Sequence, residues 1–165
     1  MKSNGCGIYF KMKANHNNIV FLSFSGCIIV TYIYNLEEIK MKKIISSTNA
    51  PAAIGPYSQA VEVNHMVYTS GVIPIDPETG NLVQGDIKVQ AERVLKSLSA
   101  LLTDSGTSME NVIKTTVFLK DMNDFGAMNE IYSSYFTVNP PARSAVEVAR
   151  LPKDVLIEIE AIAIK

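Results

Sequence analysis

From Met41 to Lys165 this chain contains no cysteine. A disulfide framework, a thiolate nucleophile and a cysteine-ligated metal are therefore excluded from that stretch. Histidine is nearly as scarce. His65 is the one histidine there, beside the turn-forming Asn64, so no histidine pair has metal-ligand spacing. A Ser-His-Asp triad would have to use His65, and nothing marks a nucleophile elbow. Glycine-rich phosphate loops, internal repeats and low-complexity tracts are absent as well. Basic residues are in deficit: eight lysines and three arginines face fourteen carboxylates, a net charge of −3. That balance argues against nucleic acid as the main partner.

Residues 1–40 differ in kind. They are rich in Asn, Ile, Tyr and Phe and hold both cysteines, Cys6 and Cys27. Their apolar run, Ile19 to Tyr34, is broken by Ser23, Ser25, Gly26 and Thr31 and is shorter than the ~20 residues of a bilayer-spanning helix. No small-x-small cleavage site follows it, so a signal anchor is the weaker reading, and a cytoplasmic protein without membrane attachment is expected. Leu36-Glu37-Glu38-Ile39-Lys40-Met41 back-translates as TTG-GAG-GAA-ATA-AAA-ATG, a GGAGG ribosome-binding sequence shortly before an ATG. The expectation is that translation starts at Met41 and that 1–40 is translated upstream DNA. Peptides from 1–40 in the native protein would sink it.

The remainder, 41–165, is the size of one ordinary domain. Met41 to Ser46 reads as a short edge strand. Gln59–Val63 and Met66–Ser70 flank Asn64-His65 as a hairpin. Pro74 to Gly85 is a long loop turning at Asp76-Pro77-Glu78-Thr79-Gly80. A helix begins at the N-cap Asp86, with Ile87, Ala91, Val94, Leu95, Leu98, Leu101 and Leu102 on one face, and closes at Ser105-Gly106. Val112–Leu119 is a β-branched strand. A second helix, about Asp124 to Phe136, carries the stripe Phe125, Met128, Tyr132 and Tyr135, with polar Asn129 on it. Ala145–Ala149 and Val155–Ile164 complete the sheet. The predicted fold class is α+β: a single domain with a mixed β-sheet and both helices packed on one face.

The last strand places Val155, Ile157, Ile159, Ala161 and Ala163 on one side and Leu156, Glu158, Glu160, Ile162 and Ile164 on the other. Both sides are largely apolar, so the strand is expected to be buried on both, with a second copy covering the face the helices leave open. Two glutamates in such a strand cost free energy unless something pairs with them or uses them. Some fifteen residues earlier, Arg143 follows a Pro-Pro-Ala turn just before a strand. Together a guanidinium and a carboxylate could hold a small carboxylic acid and a water. Each has a bland alternative. Arg143 could simply pair with Glu147 or Glu158, Glu158 and Glu160 are almost equal candidates, and Asn129 could be a satisfied core or interface amide. Arg150 is the better candidate for a purely structural ion pair.

Several stretches carry a resemblance: Asn49-Ala50-Pro51-Ala52-Ala53-Ile54-Gly55-Pro56-Tyr57-Ser58-Gln59, Thr69-Ser70-Gly71, Lys114-Thr115-Thr116-Val117-Phe118-Leu119-Lys120-Asp121-Met122, and the run from Arg143 to Glu160. In this order they make 41–165 resemble the RidA (YjgF) family, the reactive-intermediate imine deaminases; 1–40 has no counterpart in it. The resemblance implies a chorismate-mutase-like fold, a homotrimer with the second sheet face at its interface, and three sites in the clefts between subunits. It implies a cofactor-free, metal-free hydrolysis of 2-imino acids, or enamines such as 2-aminoacrylate, to 2-keto acids and ammonia. Such intermediates come from pyridoxal-phosphate-dependent dehydratases.

Carried over residue by residue, the resemblance implies that Arg143 anchors the substrate carboxylate and that Glu158 holds or activates the attacking water. Asn129, Tyr57, Ser70 and Gly71 become pocket residues. One position departs from the pattern. Many relatives have a cysteine two residues after the arginine, where this chain has Ala145, so thiol-based regulation should be absent while backbone contacts to substrate stay possible. Two other readings compete: a non-catalytic sensor of keto or amino acids, and a ribonuclease or translation inhibitor, which the acidic domain disfavours.

Overall fold

The structure, a computed structural model, describes residues 42–165 together with three strand segments nearer the N-terminus. The chain divides into two compact units, Met1–Lys40 and Met41–Lys165. In the first, β1 (Lys13–Asn15), β2 (Asn18–Ser25) and β3 (Ile28–Asn35) form an antiparallel sheet in that order. The described parts of the apolar run, 19–25 and 28–34, thus fall on strands, and among the described residues no helix is long and apolar enough to cross a membrane. Cys6, Cys27 and Met41 lie outside the described residues.

The second unit is built on a six-stranded sheet. Its strands are β4 (Lys43–Ile45), β5 (Ala60–Val63), β6 (Met66–Thr69), β7 (Val112–Leu119), β8 (Ala142–Glu147) and β9 (Ile157–Ile164), in the order β4-β5-β6-β9-β7-β8. All neighbours are antiparallel except β7 and β8, so the sheet is mixed. The β5–β6 hairpin turns at Asn64 and His65, whose φ of 48° and 59° are the left-handed pair of a two-residue turn that matches strand twist.

Helix α1 (Ile87–Asp104) starts where Asp86 accepts a hydrogen bond from the Val89 N–H at 3.0 Å, and Gly106, at φ +79°, takes the left-handed position just past its end. The face expected to be apolar is buried along its whole length. Helix α2 (Phe125–Tyr135) packs beside α1, burying Met128 and Tyr132. Both helices cover the sheet face formed by Ile157, Ile159, Ala161 and Ala163 of β9 with Thr115, Val117 and Leu119 of β7, all buried. Each fully buried aliphatic chain there contributes about 2 kcal/mol.

Three expectations shift. Strand β8 begins at Ala142 and ends at Glu147, so Arg143 lies within it, paired with Thr115, instead of preceding a strand at 145–149. The parallel ladder with β7 sets that start, a non-local pairing that Pro140-Pro141 conceal in the sequence. Strand β9 starts at Ile157 because a turn over Pro152–Asp154, with Lys153 and Asp154 at φ 55° and 58°, carries the chain until then. The last strand is fully buried on one side only; in one chain Leu156, Glu158, Glu160 and Ile162 are half-buried and Ile164 is exposed.

Candidate active site

The Arg143 side chain projects from β8 toward α2. Its Nη1 donates to Asn129 Oδ1 at 2.7 Å, and its Cζ lies 4.5 Å from the Tyr132 ring centroid and 5.4 Å from that of Phe125. Phe125, Asn129 and Tyr132 stand at i, i+4 and i+7, one helical face. The Tyr132 hydroxyl shares a 2.7 Å hydrogen bond with Thr115 Oγ1. Burial raises the Tyr132 pKa, outweighing the Thr115 bond and the Arg143 charge, so the phenol is neutral where proteins work. Arg143 has no carboxylate partner among the described residues, so neither Glu147 nor Glu158 pairs with it. Glu147 instead accepts from the Met122 N–H at 2.7 Å. Arg150 fills the structural role, bonding Asp154 through Nε at 2.7 Å and Nη2 at 2.9 Å. Ala145 lies on the Arg143 face beside Val117, half-buried against the core.

A second group of residues forms where β6 ends. The ladder breaks after Thr69, whose Oγ1 takes the Ala161 N–H at 2.9 Å, and resumes at Val72, which exchanges hydrogen bonds of 2.8 and 3.1 Å with Ile159. In the break, Gly71 comes to lie under Glu158. A Cβ built on Gly71 would stand 1.7 Å from Glu158 Oε1, so only glycine leaves the carboxylate room. Glu158 and Glu160 have no hydrogen-bond or ion-pair partner among the described residues. Burial, and after it the Glu160 charge, pushes the Glu158 pKa up.

Tyr57, Ser70 and Gly71 line one cavity with Pro51 and Gln59, of about 30 Å³. Ser70 Oγ is engaged, donating to the Ser58 carbonyl at 2.7 Å, whereas the half-exposed Tyr57 receives only a 3.4 Å contact from the Ile54 N–H. Gln59 organises this wall. Its Nε2 donates to the carbonyls of Ser47, Ala50 and Pro51 at 3.0, 3.3 and 2.8 Å, and its Oε1 accepts from Ser47 N at 2.7 Å. Ser47 Oγ and Asn49 Nδ2 are held in turn by Asp104 Oδ2 at 2.5 and 3.0 Å, bonds that lower the Asp104 pKa. Sequence reasoning gave no role to Gln59, and none beyond core packing to Tyr132 and Phe125. The helical spacing of the two aromatics around Asn129 was the available signal.

The candidate residues therefore fall into two groups. Register puts Arg143, Thr115 and Ala161 on the helix-covered face, while Glu160 opposite Thr116 and Glu158 opposite Phe118 face the other way. Arg143, Asn129 and Ala145 make one half; Tyr57, Ser70, Gly71 and Glu158 make the other. A single chain does not bring them together.

Residues 47–165 match the family model described as Endoribonuclease L-PSP. A RutC family protein of Pyrococcus abyssi is 57% identical over 124 residues, 75% of this chain and 98% of that protein. The mouse 2-iminobutanoate/2-iminopropanoate deaminase is 52% identical over 125 residues, covering 76% of this chain and 93% of the relative. Among solved structures, Escherichia coli TdcF with bound serine superposes with a TM-score of 0.72 at 48% identity, over 74% of this chain and 98% of that one. Fold and likenesses together define an α+β protein with a mixed sheet and two helices, of the same fold as these relatives. The chain belongs to the RidA (YjgF) family.

Proposed function

We propose that this protein hydrolyses reactive 2-imino acids, and enamines such as 2-aminoacrylate after tautomerisation, to 2-keto acids and ammonia. The observation that carries the reading is the Arg143 guanidinium: half-buried and, among the described residues, hydrogen-bonded to Asn129 alone and without a counter-charge. Five N–H donors in a planar fork suit a carboxylate bidentately, and one Nη is already oriented. The imine carbon of the anchored substrate then takes a water oxygen. Glu158 accepts a proton from that water and returns it to the nitrogen of the tetrahedral adduct. The hydroxyl proton then passes to the same nitrogen, by way of Glu158, as the C–N bond breaks, so that ammonia leaves and the keto group forms. A carboxylate with its pKa raised by burial suits a group that both takes and gives a proton.

In this proposal the two half-sites meet between copies of the chain, in a homotrimer whose open sheet face lies at the interface. Two features support it: the two half-sites lie on opposite faces of one sheet, and the half-buried Glu158 has no partner among the described residues. The ~30 Å³ cavity beside Tyr57, Ser70 and Gly71 has room for about two waters by the usual measure. Pyridoxal-phosphate-dependent dehydratases supply the substrates, and the site of action is cytoplasmic. Translation from Met41 belongs to the same proposal.

The test generates 2-imino acids with an amino-acid oxidase and follows their loss by semicarbazide trapping, with the full chain, Arg143→Ala and Glu158→Gln. Faster loss, abolished in both variants, is the expected result. The relative solved with bound serine keeps a sensor reading in view. Binding of keto acids without any acceleration of imine loss would establish the sensor instead, and salt-sensitive RNA cleavage would favour the ribonuclease reading.

A further inference from the structure

We infer that Tyr132 is a positioning residue for carboxylate recognition, holding the Arg143 guanidinium by its face while Thr115 locks the tyrosine ring. The inference rests on the reading of Arg143 as the carboxylate anchor. Arginine donors lie in the guanidinium plane, so a ring against the face constrains the group and leaves its edges free for an anion. The Tyr132 centroid is 4.5 Å from Cζ, and the ring is itself backed by Phe136 at 4.5 Å between centroids.

The hydroxyl closes the arrangement. Thr115 is the β7 residue directly paired with Arg143 on the parallel ladder, and its Oγ1 meets the Tyr132 hydroxyl at 2.7 Å. Sheet rung, threonine, tyrosine and guanidinium therefore form a closed circuit. One turn back on α2, Asn129 accepts from Nη1 and sets the rotation of the same group. A buried tyrosine used only for packing would need no such relation to the arginine's own rung. Losing either half of the Thr115–Tyr132 bond leaves a polar atom in a site that is almost fully buried, and the ring becomes free to shift.

The test measures binding of 2-oxobutanoate and of its neutral amide, 2-oxobutanamide, to the full chain by calorimetry. Variants are Tyr132→Phe, Thr115→Val, their double, and Tyr132→Leu, with Arg143→Ala as reference and circular dichroism to confirm folding. The ratio of the two affinities reads carboxylate recognition alone. Tyr132→Phe and Thr115→Val should each lower that ratio several-fold, and the double should lower it no further than either single. Tyr132→Leu should lower it by roughly three- to thirtyfold. Folded variants that keep the wild-type ratio, or lose both ligands equally, would overturn the assignment. The expected pattern in a protein without imine turnover would remove the hydrolase reading and leave this assignment standing.

Discussion

Arg143 and Glu158 stand on opposite faces of one sheet, Arg143 on the rung shared with Thr115 and Ala161, Glu158 opposite Phe118. Neither finds a countercharge among the described residues. The proposed ring of copies, with one chain's helix-covered edge against the next chain's open face, would satisfy both groups at once.

Replacing Arg143 by lysine should be nearly as damaging as replacing it by alanine. Lysine keeps the charge but loses the planar fork and the aromatic stacking. Charge-assisted hydrogen bonds contribute about 1.5–3 kcal/mol each, so kcat/KM for imino acids should fall at least tenfold, as the trapping assay would read. Arg150→Ala removes only an exposed ion pair and should leave turnover near wild type.

Gly71→Ala should impair catalysis without unfolding the chain. The added methyl overlaps the Glu158 carboxylate, which can swing away because no hydrogen bond or ion pair among the described residues holds it. A loss of about tenfold or more in kcat, with a far-UV spectrum like that of the wild type, is expected. An alanine variant with full kcat would mean that the placement of Glu158 above Gly71 does not matter.

Glu158 also predicts a pH dependence. Its folded pKa is raised, so the folded state binds a proton over a range where the unfolded chain has released it. Stability from this group is therefore full below the ordinary carboxylate pKa and is lost as pH rises through the folded value. As pH rises from the ordinary carboxylate range through the folded value, full-length protein held as separate chains should lose this increment. Glu158→Gln should flatten the curve, and an unchanged slope in thermal melts across that range would contradict the shift.

Most of the fold was legible locally. The Asp86 cap and the apolar face of α1 identify that helix, Asn64-His65 the hairpin, and the β-branched run the whole of β7. What was hidden depends on long-range pairing. The sequence alternation assigns Glu158 and Glu160 to one face of their strand, but only the order β6-β9-β7-β8 shows that Arg143 is on the other. Asn129 was legible as a polar interruption of an apolar stripe. Gln59 was not, because its four hydrogen bonds go to a loop whose path no periodicity describes.

That loop gives a stability prediction. Gln59→Leu would strand buried carbonyls of Ser47, Ala50 and Pro51 and the Ser47 N–H. A destabilisation of about 2–4 kcal/mol is expected, with a melting temperature lower by roughly 5–15 °C. Tyr57, at the far end of the same segment, should become more susceptible to proteolysis nearby. A melting curve like that of the wild type would show that the loop is held by other means.

The central claim is that Arg143 of one chain and Glu158 of another make a single site. It is tested most directly by co-expressing Arg143→Ala and Glu158→Gln chains under different tags and purifying the mixed oligomer. Each variant alone should be inactive in the imine-trapping assay. A closed ring of three that holds both kinds of chain has one interface of the three with both residues intact, so about a third of wild-type activity should return. Mixed oligomers that assemble and stay inactive would contradict the shared site.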